Sequence, residues 1–222
     1  MRARAEAVTV WAAALAVALA GGAAWSEVIG KSTTPLDARE ARVSECSLGN
    51  LAADAARSAL GAQVALVQAS QLRAQQIPAG EVTREALEGA LLYPDESVVL
   101  VEISGLKMRE ALERSLSMLP KPSTSFLQVS GLAVRFRSDA EPGERVVDVK
   151  VGGEELSGSK SYRVAMPASL AKGALGYFRI FNGLKPKETG PALADALCDY
   201  VRAMRVVSPG TGRLRDLSRP SE

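Results

Sequence analysis

The stretch SVVLVEISGLKMREALERSLSML, residues 97–119, constrains the fold more than any other part of the chain. Ser97 to Ile103 is rich in β-branched residues and reads as a strand. Ser104 then offers an oxygen to cap a helix over Gly105 to Leu119, in which Met108, Ala111, Leu112, Leu116 and Leu119 form one apolar face. A strand passing straight into an amphipathic helix is the unit of α/β architecture. Similar units precede it: a strand over Glu27 to Leu36, a helix from Ser47 to Leu60, a buried strand at VALVQ (64–68) and a short helix from Thr83 to Leu92.

After Phe126 the character changes to strands and turns: FLQVS, LAVRFR, RVVDVKV with Gly152-Gly153 turning, and YRVAMP. Pro191 is expected to open a last helix running through Met204. The expectation is a single α/β (α+β) domain, with a mixed sheet and flanking helices, over residues 25–215. The last residues, 216–222, read as a flexible tail. At 222 residues and 47% hydrophobic, the chain can bury one good core.

The first 24 residues read as an export signal: Arg2 and Arg4 precede an uncharged apolar run from Ala7 to Trp25, with small residues at Gly22-Ala23-Ala24. Cleavage after Ala24 and retention as an uncleaved membrane anchor are the two readings of that run. Both place the folded part outside the cytoplasm, periplasmic or secreted. Cys46 and Cys198 would then meet an oxidising compartment. They read either as one disulfide or as two separate buried thiols, since Cys198 shares a helical face with Ala194, Leu197 and Val201.

The sequence contains no histidine. Ser-His and Cys-His nucleophiles and imidazole-ligated metal sites are thereby excluded from these residues. No phosphate-binding glycine loop is present, and Lys plus Arg (27) nearly balance Asp plus Glu (25) without basic runs, so nucleic acid is not an expected partner. One oddity remains. Ser47 is expected to cap the 47–60 helix, but Gly49 and Asn50 are poor helix formers in its first turn, so something other than helicity selects them.

The ordered stretches VIGKSTTPLD, ECSLGNLAADAAR, VQASQLRAQQIPAGEVT, SVVLVEISGLKMREALE, SFLQVSGLAVRFR, ERVVDVKVGGEEL, YRVAMPASLAKGALGYF and the closing GRL are similar to the C-terminal domain of the secreted 5′-nucleotidase family, from about Val28 to Leu214. In that family a metallophosphatase domain carries two metal ions and the catalytic residues, while the C-terminal domain grips the nucleotide. The resemblance implies that Arg42 and Arg73 hold anionic oxygens. Gln68 stands where the family's loop opens with Asn, and Ala69, Ser70 and Gln71 stand where it has glycines. Tyr93, in Tyr93-Pro94-Asp95-Glu96, and Tyr177, in Gly173-Ala174-Leu175-Gly176-Tyr177, would supply the two rings that stack on a base. Leu175 replaces an Asp, and Asn182 stands for a ribose-binding Asp. Gly49 and Asn50 belong to a motif that fits the first helix tightly against neighbouring backbone.

Three functions follow as expectations. The domain binds a nucleotide, nucleoside or nucleotide-sugar. Alternatively it is the substrate-binding half of a split hydrolase that docks a separate metallophosphatase chain, or it is a non-catalytic interaction domain whose site has decayed. Under each of them no catalytic residue, metal ligand or cofactor is expected within these residues, and the membrane is met only through an uncleaved N-terminal segment.

Overall fold

The structure is a computed structural model that describes residues 26–218; the signal segment and residues 219–222 lie outside the described residues. Its centre is a five-stranded sheet in the order 188–192, 97–104, 161–167, 64–68, 127–130. Only the pair 161–167 and 64–68 is parallel. The 97–104 strand runs antiparallel to both of its neighbours, and 64–68 antiparallel to 127–130. All five residues of Val64–Gln68 are buried, so both faces of the sheet are covered at its middle, as an uninterrupted apolar strand requires. The helix Ser47–Ala59 packs on 64–68 and 127–130 and against the last helix, Leu193–Met204; the helix Gly105–Leu116 packs beside 97–104.

A four-stranded sheet (154–155, 146–151, 132–136, 214–216) and a three-stranded one (206–207, 28–32, 80–83) flank this core. The C-terminal strand Leu214–Asp216 pairs in parallel with Leu132–Phe136, and Ser218 bonds Asp139. Residues 216–218 are therefore tied down, contrary to the expectation of a flexible tail from 216. Pro191 lies in the edge strand Glu188–Ala192, where a missing N–H costs no ladder bond on the solvent side, and the last helix begins at Leu193.

The first helix shows what Gly49 and Asn50 are for. A Cβ on Gly49 would stand 2.4 Å from Cγ of Gln128. Gln128 is fully buried; its Oε1 accepts from Cys46 N (3.0 Å), and its Nε2 donates to the carbonyls of Ala41 (3.0 Å) and Ser44 (2.9 Å). Asn50, also fully buried, donates to Glu45 (2.5 Å) and to the Gly210 carbonyl (2.7 Å). Glu45 accepts in turn from Gly212 N and Leu214 N, while Arg213 reaches Asp54 at 2.7 Å and the Val129 carbonyl at 2.7 Å. The polar side of the helix is thus a clasp on the turn at 208–214. Cys46, not Ser47, is the N-cap residue, without a side-chain cap; the Ser47 hydroxyl donates to Pro35 O and accepts from Asp37 N, both at 2.8 Å. Cys46 and Cys198 are both buried and unbonded to each other.

Candidate functional site

The strand directions gather four loops at one end of the central sheet. Strands 64–68 and 161–167 end there, while 97–104 and 127–130 begin there. The loops after Gln68 and Pro167 and those before Ser97 and Leu127 consequently converge, as expected where ligand loops leave a mixed sheet. Backbone bonds stitch them together: Ala69 N to Phe126 O (2.8 Å), Ser70 N to Thr124 O (3.1 Å), Leu92 N to Gln71 O (2.8 Å) and Ser123 N to Arg42 O (2.9 Å).

This end brings Arg42, Gln68, Arg73 and Tyr93 into one neighbourhood. Arg42 is exposed on the segment bonded to Ser123. Arg73 is exposed too; its Nε donates to Leu91 O (3.2 Å) and its backbone N to Ala90 O, which ties it to the 90–91 segment that leads into Tyr93. Neither arginine belongs to an ion pair among the described residues. Tyr93 is 57% exposed. Asn182 is exposed at the end of the short Phe178–Phe181 helix.

Two expected contacts are not at the surface. Gln68 is buried, with Nε2 donating to Ser169 Oγ at 3.0 Å. Tyr177 is fully buried: its hydroxyl donates to Ser125 O (2.6 Å), its ring stacks on Phe181 at 5.6 Å between centroids, and the Arg114 guanidinium stands 5.9 Å from the ring centre. Burial pushes the Tyr177 phenol well above its usual range. Tyr177 therefore does not offer a ring to a ligand in this structure. The open ring of the turn is its neighbour Phe178, 60% exposed.

The reversal is local. Gly173, Leu175 and Gly176 all have positive φ (89°, 58° and 88°), and such a left-handed run breaks the side-chain periodicity by which sequence would tell inside from outside. Leu175, where the related motif has Asp, holds that backbone without being glycine, a conformation disfavoured for a branched side chain.

Sequence reasoning missed the polar floor beneath these loops. Glu96 accepts from Ser169 N (2.6 Å) with one oxygen and from Gln71 Nε2 (2.5 Å) with the other. Gln71 and Glu96 are separated by 25 positions, and no spacing rule pairs them. Among the described residues no group of three Asp, Glu, Cys or His could hold a metal ion, and none of the site side chains pairs a nucleophile with a base. Exposed guanidinium groups and rings of this kind are suited to contacts with an anion or a planar ring.

The mixed central sheet, with helices packed on it and four loops drawn to one end, defines an α/β domain. The profile of the family described as 5′-nucleotidase, C-terminal domain, matches residues 28–183, and the chain belongs to that family. It is 31% identical over 192 residues to an apyrase of Anopheles gambiae, covering 82% of this chain and 33% of the apyrase. A 5′-nucleotidase precursor from Thermus thermophilus superposes with a TM-score of 0.77 at 28% identity, over 87% of this chain and 40% of that one. The NAD nucleotidase of Haemophilus influenzae shares the fold, with a TM-score of 0.74 at 16% identity, over 86% of this chain and 38% of that one. The chain thus spans between a third and two fifths of these relatives and is related to nucleotide hydrolases.

Proposed function

We propose that this domain is an exported substrate-gripping module of the nucleotide-hydrolase kind, which binds a nucleotide, nucleoside or nucleotide-sugar at the sheet end. Metal ions and hydrolytic residues then come from a metallophosphatase domain or chain outside these residues. The observation that supports this reading is the pair of exposed, carboxylate-free arginines, Arg42 and Arg73, set among loops that the sheet draws together, with the Tyr93 and Phe178 rings open to solvent. Guanidinium groups left without an acid partner are suited to bidentate phosphate contacts, and exposed rings to base stacking. Export is supported by the basic and apolar N-terminal pattern of residues 1–24.

A second reading, an interaction domain with a decayed site, draws on one specific observation: Tyr177 and Gln68 are both inside. Calorimetric titration separates the two. AMP is expected to bind more tightly than adenosine; Arg73→Ala should weaken AMP by about tenfold or more and adenosine little, since a hydrogen bond to a charged group contributes on the order of 1.5–3 kcal/mol once a bound ligand covers it from water. Phe178→Ala should weaken both ligands. Absence of binding by AMP and adenosine alike would leave the interaction domain as the function.

A further inference from the structure

Three apolar side chains stand open around the flanking three-stranded sheet, close to where the described chain begins. Val28 is 49% exposed, Met204 53% and Val206 52%. Singly, such residues are ordinary on a surface; these three lie together. Val206 is the register partner of Lys31, Val28 and Val206 line one shallow groove with Lys31 and Arg205, and Met204 ends the last helix two residues before Val206. Arg205 holds a φ of 60°, a left-handed backbone that favours glycine, yet carries a long cationic side chain. Neither Lys31 nor Arg205 belongs to an ion pair among the described residues. Arg202 beside them is taken by Glu27 and Asp199, and Glu81 is the register partner of Lys31 on the other side. Cations and carboxylates therefore balance across this face.

We propose that this face rests on a phospholipid bilayer, with Val28, Met204 and Val206 against the acyl boundary and the Lys31 and Arg205 side chains reaching headgroup phosphates. The occupant is indicated by where the apolar N-terminal run ends. Trp25, its last residue, stands three positions before Val28, and three extended residues span at most about 10 Å. A retained run therefore brings the bilayer within about 10 Å of this face. Cleavage after Ala24 instead leaves a tryptophan, a residue type that favours the membrane interface, at the same place, together with a positive amino terminus. Both fates of residues 1–24 thus set membrane-seeking chemistry beside the patch. Because the charges of the face balance, burial of apolar surface rather than attraction to anionic lipid supplies the contact. The proposal rests on the exported reading of the chain and not on nucleotide binding.

The test places an environment-sensitive fluorescent label on single introduced cysteines: Val28→Cys, Val206→Cys and, as a control in the four-stranded sheet, the equally open Val147→Cys. Cys46 and Cys198 are buried and stay unlabelled in the native protein. The protein as the cell exports it, processed or not, is combined with phosphatidylcholine vesicles that carry a lipid-borne quencher. An interfacial apolar face lies about 5–10 Å into the headgroup and acyl boundary, so quenching at 28 and at 206 is expected to exceed that at 147 by at least about twofold. Equal quenching at all three positions, or none at any, would overturn the proposal. Quenching at only one of 28 and 206 would do the same, since it marks a tether or a chance contact without a resting face. Cell fractionation of the same protein reads export separately. A chain kept in the cytoplasm would overturn the exported reading and the proposal with it, whereas failed quenching of an exported chain overturns the bilayer contact alone.

Discussion

Replacing Gly49 with alanine tests the account of the first helix most directly, because intrinsic propensity and packing predict opposite signs. In the interior of a helix, Ala is favoured over Gly by about 1 kcal/mol. Against this, the new Cβ would stand 2.4 Å from Cγ and 2.6 Å from Cδ of Gln128, well inside the ~3.5–4.0 Å of carbon contact. Gln128 has nowhere to go without releasing bonds to Cys46 N, Ala41 O and Ser44 O. Overpacking costs about 1–3 kcal/mol, and each buried partner left unsatisfied about 1–3 kcal/mol. With one or two bonds lost, the net destabilisation is about 3–5 kcal/mol, or roughly 10–15 °C in Tm for a domain of this size. The decisive measurement is a double-mutant cycle by urea denaturation followed by circular dichroism. In a Gln128→Ala background the clashing atoms are gone, and Gly49→Ala should stabilise by about 1 kcal/mol. A similar cost in both backgrounds would refute the argument that Gln128 excludes the side chain.

Three further outcomes are expected. Tyr177→Phe removes the donor to the buried Ser125 carbonyl and should cost about 1–2 kcal/mol of stability with nucleotide affinity unchanged; loss of affinity at full stability would return the ring to the ligand site. Burial pushes the Cys46 thiol up to about 12 and that of Cys198 up to about 11, so neither should react with iodoacetamide in the native protein at pH 8. Because both folded values lie above those of the unfolded thiols, this contribution to stability is complete at neutral pH and declines as pH rises above about 8.5 towards those values. A Cys46→Ala, Cys198→Ala protein should show a shallower alkaline decline.

The elements that declared themselves in sequence did so by local pattern. VALVQ and SVVLVEI form the sheet centre because β-branched runs admit few alternatives, and the Leu48, Leu51, Ala52, Ala55 face returns as the buried side of the first helix. Ser104 caps its helix as expected, with its hydroxyl accepting from Lys107 N. What local pattern misread was settled from a distance. Ser47 fails as a cap because its hydroxyl is claimed by Pro35 and Asp37, some ten positions upstream. Of the adjacent aromatics, Tyr177 lies inside and Phe178 outside, because left-handed residues just before them turn the backbone in a way that local pattern does not reveal. Gln68 carried a legible warning, since a side chain closing a wholly buried strand is more easily inside than out. The contact of Glu96 with Gln71 had no such signal.

The clasp between the first helix and the turn at 208–214 has a consequence for the order in which the domain can be completed. Asn50 meets Gly210 and Glu45 meets Gly212 and Leu214 across some 160 residues of chain, and Lys31 pairs with Val206 across a longer span. Contacts of such sequence separation are made late, because the entropy of closing the loop is lost before any contact rewards it. During synthesis from the N-terminus, Asn50 and Glu45 must wait with bare polar groups until almost the last described residue has emerged. The final segment is therefore the latch that converts a nearly finished chain into a folded one, and a chain cut short before Arg213 would hold its core sequence yet lack the means to shut.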